Sequence, residues 1–223
     1  MLLVLAKSPV AGLAKTRLCP PASPSDAASI AAAALLDTLD AVAAVPGARV
    51  MVAWTGELAD AECSDELGEA LAGTEMFEQC DGSLGRRIAE AHLEVARRTP
   101  GSAVLQIGTD TPQLDAGALA AALIPLRRVD AVLGPALDGG WWALGLRDPR
   151  RAAVLADVPM SRPDTGELTR RALLATGLRI EMLAQVRDVD DATDAHIVAA
   201  DAPLGRFAAQ VRGRLRLPAG GPC

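Results

Sequence analysis

The chain predicts a three-layer α/β/α fold, with a mainly parallel central sheet between helices. Three observations carry this expectation. Short continuous apolar runs such as "LLVLAK" (2–7) and "SAVLQIG" (102–108) read as strands covered on both faces. Between the runs lie stretches with helical spacing, about a dozen residues each, as βαβ units require. Gly and Pro punctuate the joins, Pro46-Gly47 and Pro100-Gly101 most plainly.

Taken in order, "LLVLAK" is the first strand, followed by a basic loop. "SDAASIAAAALLDTLDAVAAV" (25–45) is a helix that Ser25 or Asp26 can cap and that Pro46-Gly47 stops. "ARVMVAW" (48–54) is the second strand, "LADAECSDELGEALA" (58–72) a polar-faced helix and "EMFEQ" (75–79) a short third strand. "DGSLGRRIAEAHLEVARR" (81–98) is a loop running into a helix, and "SAVLQIG" is the fourth strand. "AGALAAALIPLRR" (116–128) reads as a helix. Two further apolar strands, "DAVLGPA" (130–136) and "WWALGL" (141–146), are joined by "LDGG". A Pro-rich stretch leads to a helix, "TGELTRRALLATG" (165–177), and then to the run "RIEMLAQV" (179–186). "RDVDDATDAHIVAADA" (187–202) carries acids into a final helix. This gives a single domain over 1–213 and a frayed tail over 214–223.

The composition narrows the function. Of 223 residues, 50% are hydrophobic and 22% charged, which is a globular balance. A net charge of -6 with 2% aromatics lacks both the phosphate attraction and the stacking platform of a nucleic-acid binder, so no nucleic-acid partner is expected. The four cysteines contain no CxxC pair, and His92 and His196 stand alone, which argues against structural zinc. No apolar run reaches the ~18 residues that span a bilayer, and "MLLVLAKSP" is too short for a signal segment. The expected setting is cytoplasmic, without a membrane span.

In parallel sheets ligands bind beyond the carboxyl ends of the strands, so the loops after them hold the chemistry. After the first strand come Lys7, Lys15 and Arg17, with no acidic residue before Asp26. Gly12 frees the backbone there, and amides with cations could wrap a phosphate chain; the bland alternative is a solvated turn. The upstream glycine of a P-loop is missing. In "QIGTDTPQL" the strand delivers Asp110 into a turn. It can hold Mg²⁺, which takes one or two carboxylates and keeps its waters, or it can bond its own backbone. "RDVDDATD" is no EF-hand loop, since Thr193 and Ala199 stand where Gly and Glu belong. Asp190, just past the apolar run, is its better candidate for the site, with Asp188 as the alternative, while Asp191 or Thr193 can cap the last helix. Asp138-Gly139-Gly140 lets backbone approach a ligand closely, or is a plain hairpin turn. Trp141 and Trp142 should point to opposite faces, one to the core and one to the cleft.

Taken together, "AKSPVAGLAKTRL", "QCDGSLGRRI", "IGTDTPQL", "VDAVLGPALDGGWWALGL" and "RDVDD" resemble the DUF2064 family, over nearly the whole chain. Members of that family look like nucleotide-diphospho-sugar transferases of the GT-A fold. The resemblance implies that Lys7, Gly12, Lys15 and Arg17 lie on nucleotide phosphates and that Gln79, Gly82 and Leu84 lie along the base. It implies that Asp110 holds the metal ion, Mg²⁺ or Mn²⁺. Asp190 is the expected second carboxylate, with Asp188 as the alternative, and Lys15 and Asp110 are the expected catalytic residues. Asp138, Gly139, Gly140 and Trp141 would face a small-molecule acceptor. The sequence departs from the family pattern on that acceptor side: Trp141 replaces a usual Tyr, and Met160-Ser161-Arg162 replaces a usual Trp-Ser-Thr.

Three functions fit these residues. Preferred is nucleotidyl transfer from a nucleoside triphosphate to a phosphorylated small molecule. A leaving pyrophosphate develops more charge than a bridging diphosphate, and a basic loop with a metal ion can neutralise it. Glycosyl transfer from a nucleotide-sugar is the second, and a non-catalytic nucleotide-binding module the third. Either transfer runs on positioning and electrostatics, so the absence of a Ser-His-Asp or Cys-His set does not count against an enzyme.

Overall fold

A computed structural model describes residues 1–215. The elements run β1 (Leu2–Lys7), α1 (Pro24–Ala43), β2 (Val50–Thr55), α2 (Ser64–Ala72), β3 (Glu75–Glu78), α3 (Leu84–Arg98) and β4 (Val104–Ile107). There follow α4 (Ala116–Leu123), β5 (Ala131–Pro135), β6 (Trp141–Leu146), α5 (Thr165–Ala175), β7 (Ile180–Met182), α6 (Ala192–Asp201) and α7 (Arg206–Arg214). The seven strands form one sheet in the order β3-β2-β1-β4-β6-β5-β7. Helical crossovers keep β1, β2, β3 and β4 parallel, and β5 parallel to β7. Only β6 is antiparallel to its neighbours, because the short 136–140 turn returns the chain directly alongside β5. The fold is thus the mixed, mostly parallel sheet that the alternating apolar runs predict.

Alternation along β1 explains the layers. Leu2 and Val4 face one core with Leu35, Leu39 and Leu119, while Leu3 faces the other with Met51, Ile88 and Val95. Leu2, Leu3 and Val4 are all fully buried, so the central strand is covered on both faces. A third cluster, with Leu18, Ile30, Val198, Phe207 and Val211, fastens α6 and α7 to α1 and to the loop after β1.

Several elements differ from the sequence reading, each for a local reason. The cap of α1 is Ser23, whose hydroxyl accepts from the Asp26 amide at 3.1 Å, with Pro24 in the first helical position where no N–H is needed. The stretch 58–72 splits, because Cys63 turns left-handed (φ 57°) between a 3-10 turn and α2. The helix 116–128 stops being α at Leu123 and tightens into a 3-10 turn around Pro125, which cannot donate an amide. Of "RIEMLAQV" only Ile180–Met182 joins the sheet, with an isolated bridge from Val186 to Ala136. The Pro-rich stretch contains a nine-residue 3-10 helix, Pro149–Asp157, lying on α3. Gly85 of α3 makes room for it: a Cβ there would stand 2.2 Å from the Leu155 carbonyl oxygen.

The expected final helix is α6, and a further helix that the sequence reading lacks, α7, follows the break at Pro203-Leu204-Gly205. Arg214 and Leu215, the first two residues of the expected frayed tail, are packed instead: Arg214 pairs with Asp26 at 2.8 Å and Leu215 is buried. The rest of that tail, 216–223, lies outside the described residues. No described helix is long and apolar enough to cross a membrane.

Candidate active site

The basic loop is anchored before it turns. The Ser8 amide donates to Thr55 O at 2.9 Å and its buried hydroxyl to Glu57 O at 2.8 Å, tying the end of β1 to β2. Gly12 takes φ 78°, with nothing near a would-be Cβ, so only its backbone freedom is used. Lys15 then adopts a left-handed conformation (φ 46°, ψ 41°), costly for a lysine by about 1–2 kcal/mol. A 3-10 turn over Thr16–Leu18 follows, pinned by fully buried Leu18. Lys15 and Arg17 therefore do not share a face by lying on extended chain, the arrangement that their i, i+2 spacing allows. A left-handed residue followed by a tight turn brings both to one cavity.

Three distant segments are laced together here. Lys15 Nζ lies 2.6 Å from Asp110 Oδ1 and also donates to the Val189 carbonyl. The Val189 amide donates to Asp110 O at 2.8 Å, so the 187–191 segment runs against the loop after β4. Arg17 pairs with Asp190 at 2.5 Å. Asp191 caps α6, accepting from the amides of Thr193 and Asp194.

Two cavities result. One, of about 370 Å³, is lined by Lys7, Lys15, Arg17, Gln79, Leu84 and Arg87, with Asp110 and Asp190. The other, of about 300 Å³, is lined by Asp110, Asp138, Asp188, Gly140, Trp141, Trp142 and Met160-Ser161-Arg162. Leu5, Leu84, Thr109 and Asp110 line both, so the basic cavity and the acidic cavity meet at Asp110.

Not every expected residue lines a cavity. Gly12, Gly82 and Gly139 line neither. Gly82 shapes its loop through φ 121°. Gly139 is glycine because a Cβ there would stand 1.9 Å from the Pro163 carbonyl oxygen; its close approach is to its own chain, and not to a ligand. Asp138 accepts from the Gly140 amide at 2.7 Å, closing the turn. Trp142 is the buried tryptophan, donating to Ala184 O at 3.0 Å, yet it lines the acidic cavity together with half-buried Trp141.

The acids sort themselves by cavity. Asp190 is engaged by Arg17 on the basic side, whereas Asp188 lines the acidic one and has no ion pair among the described residues. Burial first, then the charges of Asp138 and Asp110, hold the Asp188 carboxyl above its ordinary range. Among the described residues no group of three or more His, Cys, Asp and Glu converges on one point. What the site offers a divalent ion is a pair of carboxylates with room for water, a set that fits Mg²⁺. Two residues of interest escape the sequence reading. Arg87 stands one turn into α3, and its signal was the second Arg of "GRRI". Arg162 reads in sequence only as a departure from the family pattern.

The sheet and its flanking helices match the fold of a nucleotide-diphospho-sugar transferase structure. A crystal structure of a proposed nucleotide-diphospho-sugar transferase of Desulfovibrio desulfuricans G20 matches with a TM-score of 0.83 at 23% identity, over 95% of this chain and 93% of that one. The family model for DUF2064, described as an uncharacterized protein conserved in bacteria, matches residues 38–162, and the chain belongs to that family. It is 30% identical over 211 residues, 91% of each chain, to the 3-phospho-D-glycerate guanylyltransferase of Phenylobacterium zucineum (strain HLK1). The 4-diphosphocytidyl-2C-methyl-D-erythritol synthase of Anaerococcus prevotii DSM 20548 shares the fold more distantly, with a TM-score of 0.57 at 10% identity, over 92% of this chain and 98% of that one. The protein is a transferase.

Proposed function

We propose that the protein transfers a nucleotidyl group from a nucleoside triphosphate to a phosphorylated small molecule. The observation that carries this reading is the junction of a cation-lined cavity with an acidic one at Asp110. The name of the guanylyltransferase relative supports it, since that enzyme joins a nucleotide to a phosphorylated acid.

In this reading Lys7, Lys15 and Arg17 bind the triphosphate, and Gln79 and Leu84 flank the base. An oxygen of the acceptor phosphate, held in the cavity of Asp138, Gly140 and Trp141, attacks the α-phosphorus. The bond to the β-phosphate bridging oxygen breaks, and pyrophosphate leaves toward the basic loop. Lys15, already beside Asp110, stabilises charge developing there without rearrangement. Asp110 and Asp188 would hold Mg²⁺, which neutralises charge on the leaving group. Asp188, which has no ion pair among the described residues, is preferred over Asp190 as the second carboxylate, a choice the sequence leaves open.

The test is a substrate screen with Mg²⁺: the four nucleoside triphosphates and a panel of nucleotide-sugars, each with phosphorylated acids including 3-phosphoglycerate. Pyrophosphate release that needs both a triphosphate and an acceptor is the expected result. Turnover with nucleotide-sugars alone would return the protein to glycosyl transfer.

A further inference from the structure

Two buried polar atoms on the wall of the basic cavity have no partner among the described residues: Gln79 Oε1 and Arg87 Nε. Buried polar atoms are rarely left unpaired, and an unpaired pair on one cavity wall asks for a ligand. The direction of the Gln79 amide is fixed. Its Nε2 donates to Ala6 O and Ala53 O, both at 2.8 Å, and turning the amide over would set its oxygen against two carbonyl oxygens. Gln79 thus bridges the ends of β1 and β2 and presents Oε1 as a rigid acceptor.

Arg87 supplies the complement. Lys15 and Arg17 both meet carboxylates, but the Arg87 guanidinium meets none among the described residues. It offers donors only, in a planar fork. The wall of the cavity therefore carries a fixed acceptor and an unengaged donor fork.

We infer that Gln79 and Arg87 read the base, and that they select the keto–imino edge of guanine. Arg87 donates to guanine O6, and Gln79 Oε1 accepts from N1–H. Adenine inverts both contacts: its N6 amino group meets the Arg87 donors, and its N1 lone pair meets the Gln79 oxygen. Cytosine fails in the same way. Uracil carries the same keto–imino pattern on a smaller ring. The inference rests on the basic cavity being the nucleotide site.

The test is equilibrium binding of GTP, ITP, UTP, ATP and CTP, with Mg²⁺ and no acceptor. ITP keeps O6 and N1–H, so it should bind within a few-fold of GTP. ATP and CTP should bind roughly tenfold to a hundredfold more weakly than GTP, the discrimination one well-placed hydrogen-bonding pair provides. Arg87→Met should bring GTP down toward ATP, leave ATP binding equal or tighter because the donor facing its N6 amino group is gone, and leave the melting temperature unchanged. ATP or CTP binding as tightly as GTP overturns the inference. Equal losses for ATP and GTP in Arg87→Met also overturn it, placing Arg87 on the phosphates. Lys15→Ala should weaken all five ligands together and leave their ratios intact. If no triphosphate binds the wild-type protein, the reading of the cavity itself falls, a result distinct from non-selective binding.

Discussion

Lys15 combines a left-handed backbone with an ammonium wedged between Asp110 and the Val189 carbonyl. A residue with φ 46° that is neither Gly nor Asn, on the wall of a cavity, is strain maintained for position. Lys15→Gly separates the two roles. It should leave the melting temperature unchanged or raised, because relief of the left-handed strain offsets the lost ion pair. Triphosphate binding should nonetheless weaken by about 1.5–3 kcal/mol, the range for a charge-assisted hydrogen bond. Unchanged affinity by calorimetry would reduce the loop to a solvated turn. The acids give a second residue-scale prediction. Asp188→Asn should lower Mg²⁺-dependent turnover at least tenfold more than Asp190→Asn, roughly the 1.4 kcal/mol that one such interaction supplies. An equal or reversed order in a metal titration of rate would restore Asp190 to the metal.

At the scale of elements, the sequence shows what repeats and hides what depends on distant partners. Runs such as "LLVLAK" and "SAVLQIG" become β1 and β4 because burial on both faces demands unbroken apolar residues. The 3-10 helix Pro149–Asp157 left no such signature, since its contacts are set by α3 and by the absent Cβ of Gly85. The double glycine was legible as a close approach, but the partner was not: Gly139 meets Pro163 of its own chain. Two glycine substitutions test this account of the loops. Gly139→Ala combines φ 89° with a clash at 1.9 Å against backbone and should cost upward of about 2 kcal/mol in urea unfolding. Gly12→Ala, with open space and only φ 78° to oppose it, should cost about 1 kcal/mol. Similar costs at the two positions would contradict the assignment of Gly139 to packing.

For the whole molecule, the strand-end rule points to the loops after the strands, and Lys7, Lys15, Arg17, Gln79, Leu84 and Asp110 do line one cavity there. Sequence could not assign Asp188 and Asp190 to different cavities, because the deciding partner, Arg17, lies 173 residues away. Arg87 was hidden for a similar reason, as an ordinary helix residue until the fold set it on the cavity wall. Global stability adds a pH signature. His92 is fully buried, with Nε2 2.9 Å from Gln106 Oε1, and burial pushes it from 6.5 down to about 4. The unfolded chain therefore binds a proton that the native state refuses. Stability is complete above pH 6.5 and is lost as pH falls toward 4, by roughly 3 kcal/mol. His92→Gln should flatten that acid limb in melting curves, and an unchanged limb would contradict the neutral buried histidine.

In the proposed reaction donor and acceptor meet at Asp110, and labelled transfer is the sharpest test of that meeting. With an α-³²P nucleoside triphosphate, Mg²⁺ and a phosphorylated acid, label should pass into a nucleotide–acceptor conjugate, with one pyrophosphate released per conjugate. Asp110→Asn should abolish the transfer. Label that stays in free nucleotide while a sugar moves from a nucleotide-sugar, or an Asp110→Asn variant working at the wild-type rate, would contradict the account.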